Sequence, residues 1–329
     1  MAVKFVRYAD GTSSRVGVVD GDLLRVVDGL ADLLPLIEAG EAELLAAGRT
    51  ALRRGATVPL PDIVPLSPIA TPPTVRDFYA FEQHVRAGRA WRGLEMEPDW
   101  YELPVFYFSS PYAVMGCGPV PMTPGAERFD FELEVAAVVG HGGRDLTAQD
   151  AEHAIAGYCV LNDWSGRDVQ QREMKLSMGP VKGKDTATSL GPYFVTPDEI
   201  ADFRESNGYR LEMTCTVNGA PYSRALWSDI HWSFGEMIAY ASRGAEVRPG
   251  DVIGSGTCGT GCILELSRTH DSATYPWLQP GDEVVAAIEG LGELRNTVTG
   301  AAPVIPLRTR GATGQEHGTR PRFTDGVAR

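Results

Sequence analysis

The sequence predicts an α+β protein in which a small N-terminal unit precedes a larger domain. One observation is the strict alternation of apolar and acidic residues that opens the segment 129–140, which is typical of a strand. A second is that the segment with helical spacing, 29–54, is separate from the segments with hairpin signals such as Asn218-Gly219. A third is a proline-dense connection over residues 59–73, which can be neither helix nor central strand.

This connection sets the predicted boundaries. Residues 1–70 are expected to form the small N-terminal domain and residues 71–305 the larger domain. The first unit reads as a hairpin around Asp10-Gly11, a second turn and then one helix within 29–54. The segment 306–329 is rich in Gly, Thr and Arg and is expected to be a loose tail.

Composition excludes several function classes. The chain has 329 residues, of which 43% are hydrophobic and 22% charged, and its 43 acidic against 30 basic residues give a net charge of −13. Nucleic acid is an unsuitable partner because phosphate binding depends on concentrated positive charge. No apolar run predicts a membrane span, and no signal core opens the chain, so a cytoplasmic location is expected. Among the five cysteines only Cys258 and Cys262 have a spacing that suggests zinc, and they lack neighbouring soft ligands, so free thiols are expected.

The segment 129–140 is the strongest candidate for a functional element. Because side chains alternate across a strand, Asp130, Glu132 and Glu134 should leave the backbone on one face. That face turns apolar two residues later, as expected for a strand that enters a buried sheet. Buried carboxylates repel one another, and a hard divalent metal would relieve the repulsion. The alternative is an amphipathic edge strand with its acidic side in water.

Other polar residues follow or interrupt apolar segments. Asp163 ends a short apolar strand. It is expected either to bind a metal or to cap a helix in the segment that starts at Ser165. Lys184 lies on a rigid turn that, by its residues alone, is typical of a solvated basic loop. His84 near a helix start is typical of a surface residue, and Glu265 interrupts an apolar strand predicted at 262–266, where it needs a partner.

Two loops and one helix complete the predicted pattern. Residues 88–101 have little periodicity and predict a long irregular loop, of the kind that is either functional or disordered. The glycine-rich loop 254–261 lacks the lysine of a nucleotide-binding loop, and its amides are expected to approach a substrate carboxylate. Thr147 is expected to cap a helix that ends at Gly157.

The chain resembles the fumarylacetoacetate hydrolase family over about residues 72–300. The motifs that carry the resemblance occur in the family's order. They are Asp77-Phe78-Tyr79 with Gln83-His84, Asp130-Phe131-Glu132-Leu133-Glu134, Asn162-Asp163-Trp164-Ser165-Gly166-Arg167-Asp168-Val169-Gln170, Gly183-Lys184, Ser255-Gly256-Thr257 and Leu264-Glu265-Leu266. The resemblance implies mixed, rolled β-sheets with few helices, a small β-rich N-terminal domain and a homodimer.

The resemblance also implies a cofactor and a ligand set. One divalent cation is expected, Mg²⁺ by preference and otherwise Mn²⁺ or Ca²⁺. Its implied ligands are Asp77, Glu132, Glu134 and Asp163. Asp130 is implied not to be a ligand, against the reading of the strand alone.

The implied chemistry is hydrolysis of a carbon–carbon bond in a β-diketo acid or acylpyruvate-like substrate. His84, oriented by Glu265, would deprotonate water in such an enzyme. Lys184, with Gln170 and Arg167, would stabilise the developing negative charge.

The polar ends of the substrate would contact Tyr79, Tyr107 and Thr257. The loop 89–100 does not align with the family, so contacts from Arg89 or Arg92 are open. Alternatives on the same site are decarboxylation, isomerisation or hydration of a 2-oxo acid. A ligand-binding protein on a retired enzyme fold is the non-enzymatic alternative.

Overall fold

We describe residues 3–306 of the chain from a computed structural model. Within this range the strands are β1 Lys4–Asp10, β2 Ser13–Asp20, β3 Leu23–Val26, β4 Thr57–Pro59, β5 Pro65–Leu66, β6 Val75–Asp77, β7 Tyr107–Ser109, β8 Val114–Met115, β9 Gly118–Pro121, β10 Phe129–Asp130, β11 Leu133–Val139, β12 Gly143–Arg144, β13 Ile155–Asp163, β14 Ser165–Gly166, β15 Thr188–Val195, β16 Arg204–Glu205, β17 Gly208–Tyr209, β18 Glu212–Val217, β19 Ala220–Leu226, β20 Glu246–Val247, β21 Val252–Gly254, β22 Glu283–Ile288 and β23 Gly292–Thr299.

The α-helices of the same range are short. They are α1 Leu34–Ala39, α2 Glu41–Arg54, α3 Glu82–Ala90, α4 Ala148–His153, α5 Arg167–Met174, α6 Pro197–Ile200, α7 Phe234–Ala241 and α8 Ile263–Thr269. Short 3₁₀ turns lie at Leu60–Asp62, Pro98–Tyr101, Pro111–Ala113, Ala201–Phe203 and Trp227–Asp229. None of the helices described here has the length and apolar character that a membrane crossing requires.

The large sheet has twelve strands, ten of which follow the order β4-β3-β2-β1-β15-β13-β11-β21-β6-β7. β5 pairs with β1, and β8 pairs with β15. Most pairs are antiparallel, whereas β21–β6 and β15–β8 are parallel, so the predicted mixed sheet is confirmed. A second sheet has the order β19-β18-β22-β23-β9.

The N-terminal strands continue the large sheet. β1 pairs with β15, where Lys4 lies opposite Val195. One buried cluster joins Phe5 and Leu44 of the first 70 residues to Ala136 and Leu161 of the strands that carry the acidic residues. The division at residue 70 stays a prediction, and the predicted tail, beyond Pro306, lies outside the described residues.

The local predictions were partly correct. The hairpins at Asp10-Gly11 and Asn218-Gly219 are confirmed. The single strand predicted over 129–140 is wrong, because β10 pairs with β14 whereas β11 pairs with β13, and Phe131 and Glu132 lie between the two strands.

Three other boundaries differ from prediction. The helix predicted within 29–54 is two helices, since Gly40 between them has φ +101°. Thr147 caps α4 as predicted, but α4 ends at His153, and Gly157 lies in β13 where a Cβ would meet the ring of Phe194 at 2.5 Å. The strand predicted at 262–266 is instead the start of α8.

A buried ion pair fixes β6 against β21. Arg76 Nη1 donates to Asp251 Oδ2 at 2.9 Å, and the two side chains are 7% and 2% exposed. Asp251 also accepts the Thr74 hydroxyl at 2.7 Å and the Arg248 N–H at 2.9 Å. Because β6 ends at Asp77, this pair holds the strand that presents Asp77.

We predict that Asp251→Asn lowers the free energy of unfolding by about 3–5 kcal/mol, because it leaves the Arg76 charge buried without a counter-ion. Urea denaturation followed by circular dichroism measures the change. Glu283→Gln is the control, since the exposed pair of Glu283 with Arg295 should contribute no more than about 1 kcal/mol. Equal losses in the two variants would show that the buried pair is dispensable.

Candidate active site

Four carboxylates meet at one end of neighbouring strands. Asp77 ends β6, Glu132 directly precedes β11, Glu134 is the second residue of β11, and Asp163 ends β13. All four are buried, with exposures between 0% and 6%. One oxygen atom from each lies within 4.8 Å of the others. The structure thus brings together the four residues that the family resemblance selects.

Lys184 supplies positive charge to this cluster. Its Nζ donates to Asp163 Oδ2 at 2.6 Å and to Glu132 Oε2. The Tyr107 hydroxyl lies between Asp77, to which it donates at 2.7 Å, and Asp163. Lys184 is itself only 3% exposed, so the ammonium belongs to the buried site and not to a solvated loop.

The four carboxyl groups differ in the direction of their pKa shifts. Burial raises the pKa of Asp77, and it raises the pKa of Glu134 and Asp163 well above the ordinary range, with repulsion from neighbouring carboxylates adding to the effect on the latter two. Burial also acts on Glu132, but the charges of Lys184 and Arg167 outweigh it and lower the pKa of that carboxyl. One ammonium therefore does not stabilise all four negative charges.

The donor set fits a hard divalent cation. Four carboxylates offer oxygen ligands alone, which suits Mg²⁺, Mn²⁺ or Ca²⁺. Among the described residues, the buried Glu134 Oε1 and Asp163 Oδ1 atoms have no hydrogen-bond partner. Gly254, opposite Asp77 in the sheet, leaves room for the carboxylates of Asp77 and Glu134, since a Cβ there would lie 2.5 Å from Asp77 Oδ1 and 3.1 Å from Glu134 Oε2.

Asp130 lies outside this cluster and has a different set of partners. Its carboxylate accepts the backbone N–H groups of Ile263 at 2.7 Å and Leu264 at 3.0 Å. It also accepts Arg167 Nε at 2.8 Å, while Arg167 Nη2 lies 2.7 Å from Glu132 Oε1. The N–H groups of the first turn of a helix have no partner within the helix, and a carboxylate that accepts hydrogen bonds from them stabilises the helix start. This explains why α8 begins at Ile263 where the sequence predicts a strand.

His84 and Glu265 form a pair beside the four carboxylates. His84 is the third residue of α3, Glu265 the third of α8, and His84 Nδ1 lies 2.6 Å from Glu265 Oε2. Thr260 N–H donates to Glu265 Oε1 at 2.8 Å and fixes the carboxylate. A ring nitrogen of His84 lies within 4.8 Å of a Glu132 oxygen. The partner that Glu265 needs is therefore His84, the residue with which the family resemblance pairs it.

The remaining predicted residues surround these two groups. Gln170 Oε1 accepts Arg167 Nη1 at 3.2 Å. The Tyr79 ring meets the His84 ring edge-on at a centroid distance of 5.9 Å. Thr257 is buried in the loop after β21.

The irregular segment after α3 packs against this region. Trp100 Nε1 donates to the Tyr79 carbonyl at 2.9 Å. Arg89 Nε donates to the Glu95 carbonyl at 2.5 Å and Arg92 Nε to the Gly88 carbonyl at 3.1 Å. Both bonds thus join the last turn of α3 to the residues that follow it.

One amide of the glycine-rich loop bonds to two carboxylates of the cluster. Gly256 N–H donates to Glu134 Oε2 at 3.0 Å and to Asp77 Oδ1 at 3.2 Å. Its φ is +76°, and a Cβ there would lie 2.5 Å from the Phe78 carbonyl oxygen. At Gly256 the amide thus contacts carboxylates of the protein itself.

Sequence reasoning missed Glu173, which orders the turn that carries Lys184. Its carboxylate accepts the N–H groups of Val181, Lys182 and Gly183 at 3.0, 2.7 and 3.1 Å. Ser109 Oγ then donates to the Lys184 carbonyl at 3.1 Å. The separation of eight to ten residues between Glu173 and its donors follows no standard motif, so no sequence signal pointed to this contact.

Comparison with known proteins supports the resemblance to the fumarylacetoacetate hydrolase family. Residues 73–299 match the family model described as fumarylacetoacetate (FAA) hydrolase C-terminal. A fumarylacetoacetase of Oryza sativa subsp. japonica is 28% identical over 84% of this chain and 78% of its own length. The match to the Arabidopsis thaliana fumarylacetoacetase spans 63% of that enzyme.

Other relatives have different activities. A maleylpyruvate hydrolase of Aquipseudomonas alcaligenes is 30% identical over 85% of this chain and 95% of its own. A mitochondrial oxaloacetate tautomerase of Homo sapiens is 29% identical over 80% of this chain and 78% of its own.

A solved structure has the same fold. It is a maleylpyruvate hydrolase from Sphingobium sp. SYK-6 in complex with manganese(II) ion and pyruvate, with a TM-score of 0.68 at 22% identity over 91% of this chain and 100% of that one. The family model spans more than half of the described chain and the fold agrees. This protein therefore belongs to the fumarylacetoacetate hydrolase family of enzymes.

Proposed function

We propose that this protein is a metal-dependent hydrolase that cleaves a carbon–carbon bond in a β-diketo acid or acylpyruvate-like substrate. The observation that carries the proposal is the His84–Glu265 pair beside the four buried carboxylates. A decarboxylase needs a metal and an anchor for its substrate, whereas hydrolysis also needs a positioned base for water. We further propose that the protein is a cytoplasmic homodimer and that its substrate is a small keto acid.

The metal would be held by Asp77, Glu132, Glu134 and Asp163. Mg²⁺ is the preferred ion because the ligands are all carboxylate oxygens, and Mn²⁺ or Ca²⁺ would fit the same donors. The related Sphingobium enzyme was solved with manganese. A bound divalent cation would hold the dicarbonyl oxygens and polarise the carbonyl under attack.

His84 would act as the general base. An ionised Glu265 carboxylate can only accept, so it selects the neutral tautomer with the proton on His84 Nδ1 and leaves Nε2 free to take a proton. Water that gives its proton to Nε2 attacks the acyl carbon. Glu265 stabilises the imidazolium that results, because the Nδ1–H bond then joins opposite charges.

The departing group needs a cation. When the carbon–carbon bond breaks, its electron pair passes to the pyruvate side as an enolate, which finally takes up a proton. Lys184 is a buried ammonium that contacts Glu132 Oε2, and Arg167, bonded to Gln170, contacts Glu132 Oε1. We assign Lys184 the stabilisation of the enolate charge, supported by Arg167 and Gln170. Tyr79, Tyr107 and Thr257 would bind the polar ends of the substrate.

Tautomerisation of a 2-oxo acid is the second candidate. The relation to an oxaloacetate tautomerase favours it, and it needs only movement of protons. His84 would suffice as the base, with no attack by water. Decarboxylation or hydration on the same carboxylate site are further options within the family resemblance.

We predict that Mg²⁺ or Mn²⁺ raises the melting temperature of the protein. An ion at 100 times its Kd should add about 2.7 kcal/mol to the free energy of unfolding, because it binds only the folded state. Glu134→Gln should abolish most of the shift in a thermal melt, whereas the exposed Glu293→Gln should keep it. The ligand assignment fails if Glu134→Gln retains the full shift.

We predict that the protein with Mg²⁺ cleaves an acylpyruvate into pyruvate and a free acid. In ¹⁸O-labelled water, mass spectrometry should find one heavy oxygen in the carboxylate of the released acid. Exchange of heavy oxygen from the water into the carbonyl groups of the unreacted diketone is measured in parallel. His84→Ala should slow turnover about 10²- to 10⁴-fold while keeping the metal-induced shift in melting temperature, and Glu265→Gln should lose less.

The exposed His141→Ala is the matched control and should turn over normally. Ketonisation of enol-oxaloacetate without cleavage of any acylpyruvate would reverse the ranking in favour of the tautomerase. Carbon dioxide release from oxaloacetate would favour decarboxylation.

A further inference from the structure

Cys262 is a buried group that the proposed reaction does not use. Its Sγ, a ring nitrogen of His84 and a carboxylate oxygen of Glu132 all lie within 4.8 Å of one another. Cys262 and Glu132 are buried, and His84 is partly buried. The three side chains come from distant parts of the chain, so the fold and not local sequence brings them together.

Helix α8 holds the thiol in place. Cys262 is the residue before its first turn, and its Sγ accepts the Glu265 N–H at 3.4 Å. Glu265 in turn holds His84 Nδ1. One helical turn thus fixes both the sulfur and the carboxylate that orients the imidazole. A carboxylate on one ring nitrogen is the usual support of a metal-binding histidine, because it directs the other nitrogen to the ion.

The donor types differ from those of the carboxylate cluster. A thiolate, an imidazole and one carboxylate suit Zn²⁺ or Cd²⁺ and not Mg²⁺. Donor atoms around a tetrahedral Zn²⁺ stand about 3.5 Å apart, given metal–ligand distances of about 2.0–2.3 Å. Separations of up to 4.8 Å therefore need small side-chain movements to close on an ion.

Charge at the site permits a second cation. Asp77, Asp130, Glu132, Glu134, Asp163 and Glu265 are buried in this region. The buried cations beside them, among the residues described, are Lys184 and Arg167. Counted at formal charge, the six carboxylates outnumber the positive charges of Lys184, Arg167 and one divalent ion at the four-carboxylate cluster, so a second cation does not make the region positively charged.

We propose that His84 Nε2, Glu132 and Cys262 Sγ form a second, inhibitory site for a thiophilic divalent ion such as Zn²⁺ or Cd²⁺. On binding, the Cys262 thiol releases its proton to solvent and a metal–sulfur bond forms. The inhibition rests on the proposed function of His84 as base, because the ion takes the nitrogen that accepts the proton of water. The binding itself does not depend on that function.

Cadmium binding is tested by absorbance. Titration of the Mg²⁺-loaded protein with Cd²⁺ should produce the ultraviolet charge-transfer band of a cadmium–thiolate bond. Cys262→Ser should remove one equivalent of the band, while its hydroxyl can still accept the Glu265 N–H. Cys117→Ser, at a half-buried thiol outside the cluster, is the control and should keep that equivalent. An unchanged band in Cys262→Ser overturns the proposal.

A second measurement reports on inhibition. Cd²⁺ should inhibit acylpyruvate cleavage even in excess Mg²⁺, and Cys262→Ser should raise the Cd²⁺ concentration for half-inhibition about tenfold or more, relative to its own uninhibited rate. Equal sensitivity of the two proteins would exclude inhibition through Cys262. If no acylpyruvate is cleaved, the proposed function fails, and the absorbance titration still decides whether the second site exists.

Discussion

Mutual repulsion among four buried carboxylates is the constraint on which the rest of this site depends. Asp77, Glu132, Glu134 and Asp163 are nearly inaccessible to water, and the pKa values of three of them are raised. Such a group persists only when cations and hydrogen-bond donors surround it. Lys184, the Tyr107 hydroxyl and the Gly256 amide supply them here. A resident divalent ion would complete this compensation, and the same positive charge would serve the reaction.

The reacting groups are positioned by contacts that begin at the same acidic segment. Asp130 binds the first N–H groups of α8 and the Arg167 guanidinium, and α8 carries Glu265, which holds His84. Residues 129–134 therefore supply two carboxylates to the cluster and a third that anchors the helix of the base pair. The same segment thus contributes to the proposed reaction and to the folding of α8, so substitutions at Asp130 are expected to affect both stability and catalysis.

Many residues of the site could be predicted from the sequence, but the contacts between them could not. Alternation pointed to Glu132 and Glu134 but equally to Asp130, which lies outside the cluster, and Asp163 ends an apolar strand as expected. The start of α8 could not be read locally, because its N-terminal N–H groups bond to Asp130, which is 133 residues from Ile263. The approach of Asp77 to Glu134 likewise depends on the parallel pairing of β6 with β21. Long-range pairing decides such features, whereas hairpin turns such as Asn218-Gly219 are decided by adjacent residues.

Anomalous X-ray diffraction from crystals grown with Mn²⁺ would locate the metal ion without reference to activity. We expect one strong anomalous peak with an oxygen from each of Asp77, Glu132, Glu134 and Asp163 at about 2.0–2.6 Å. A fully occupied manganese elsewhere, with Lys184 still bonded to Glu132 and Asp163 and no peak between the four carboxylates, would contradict this expectation.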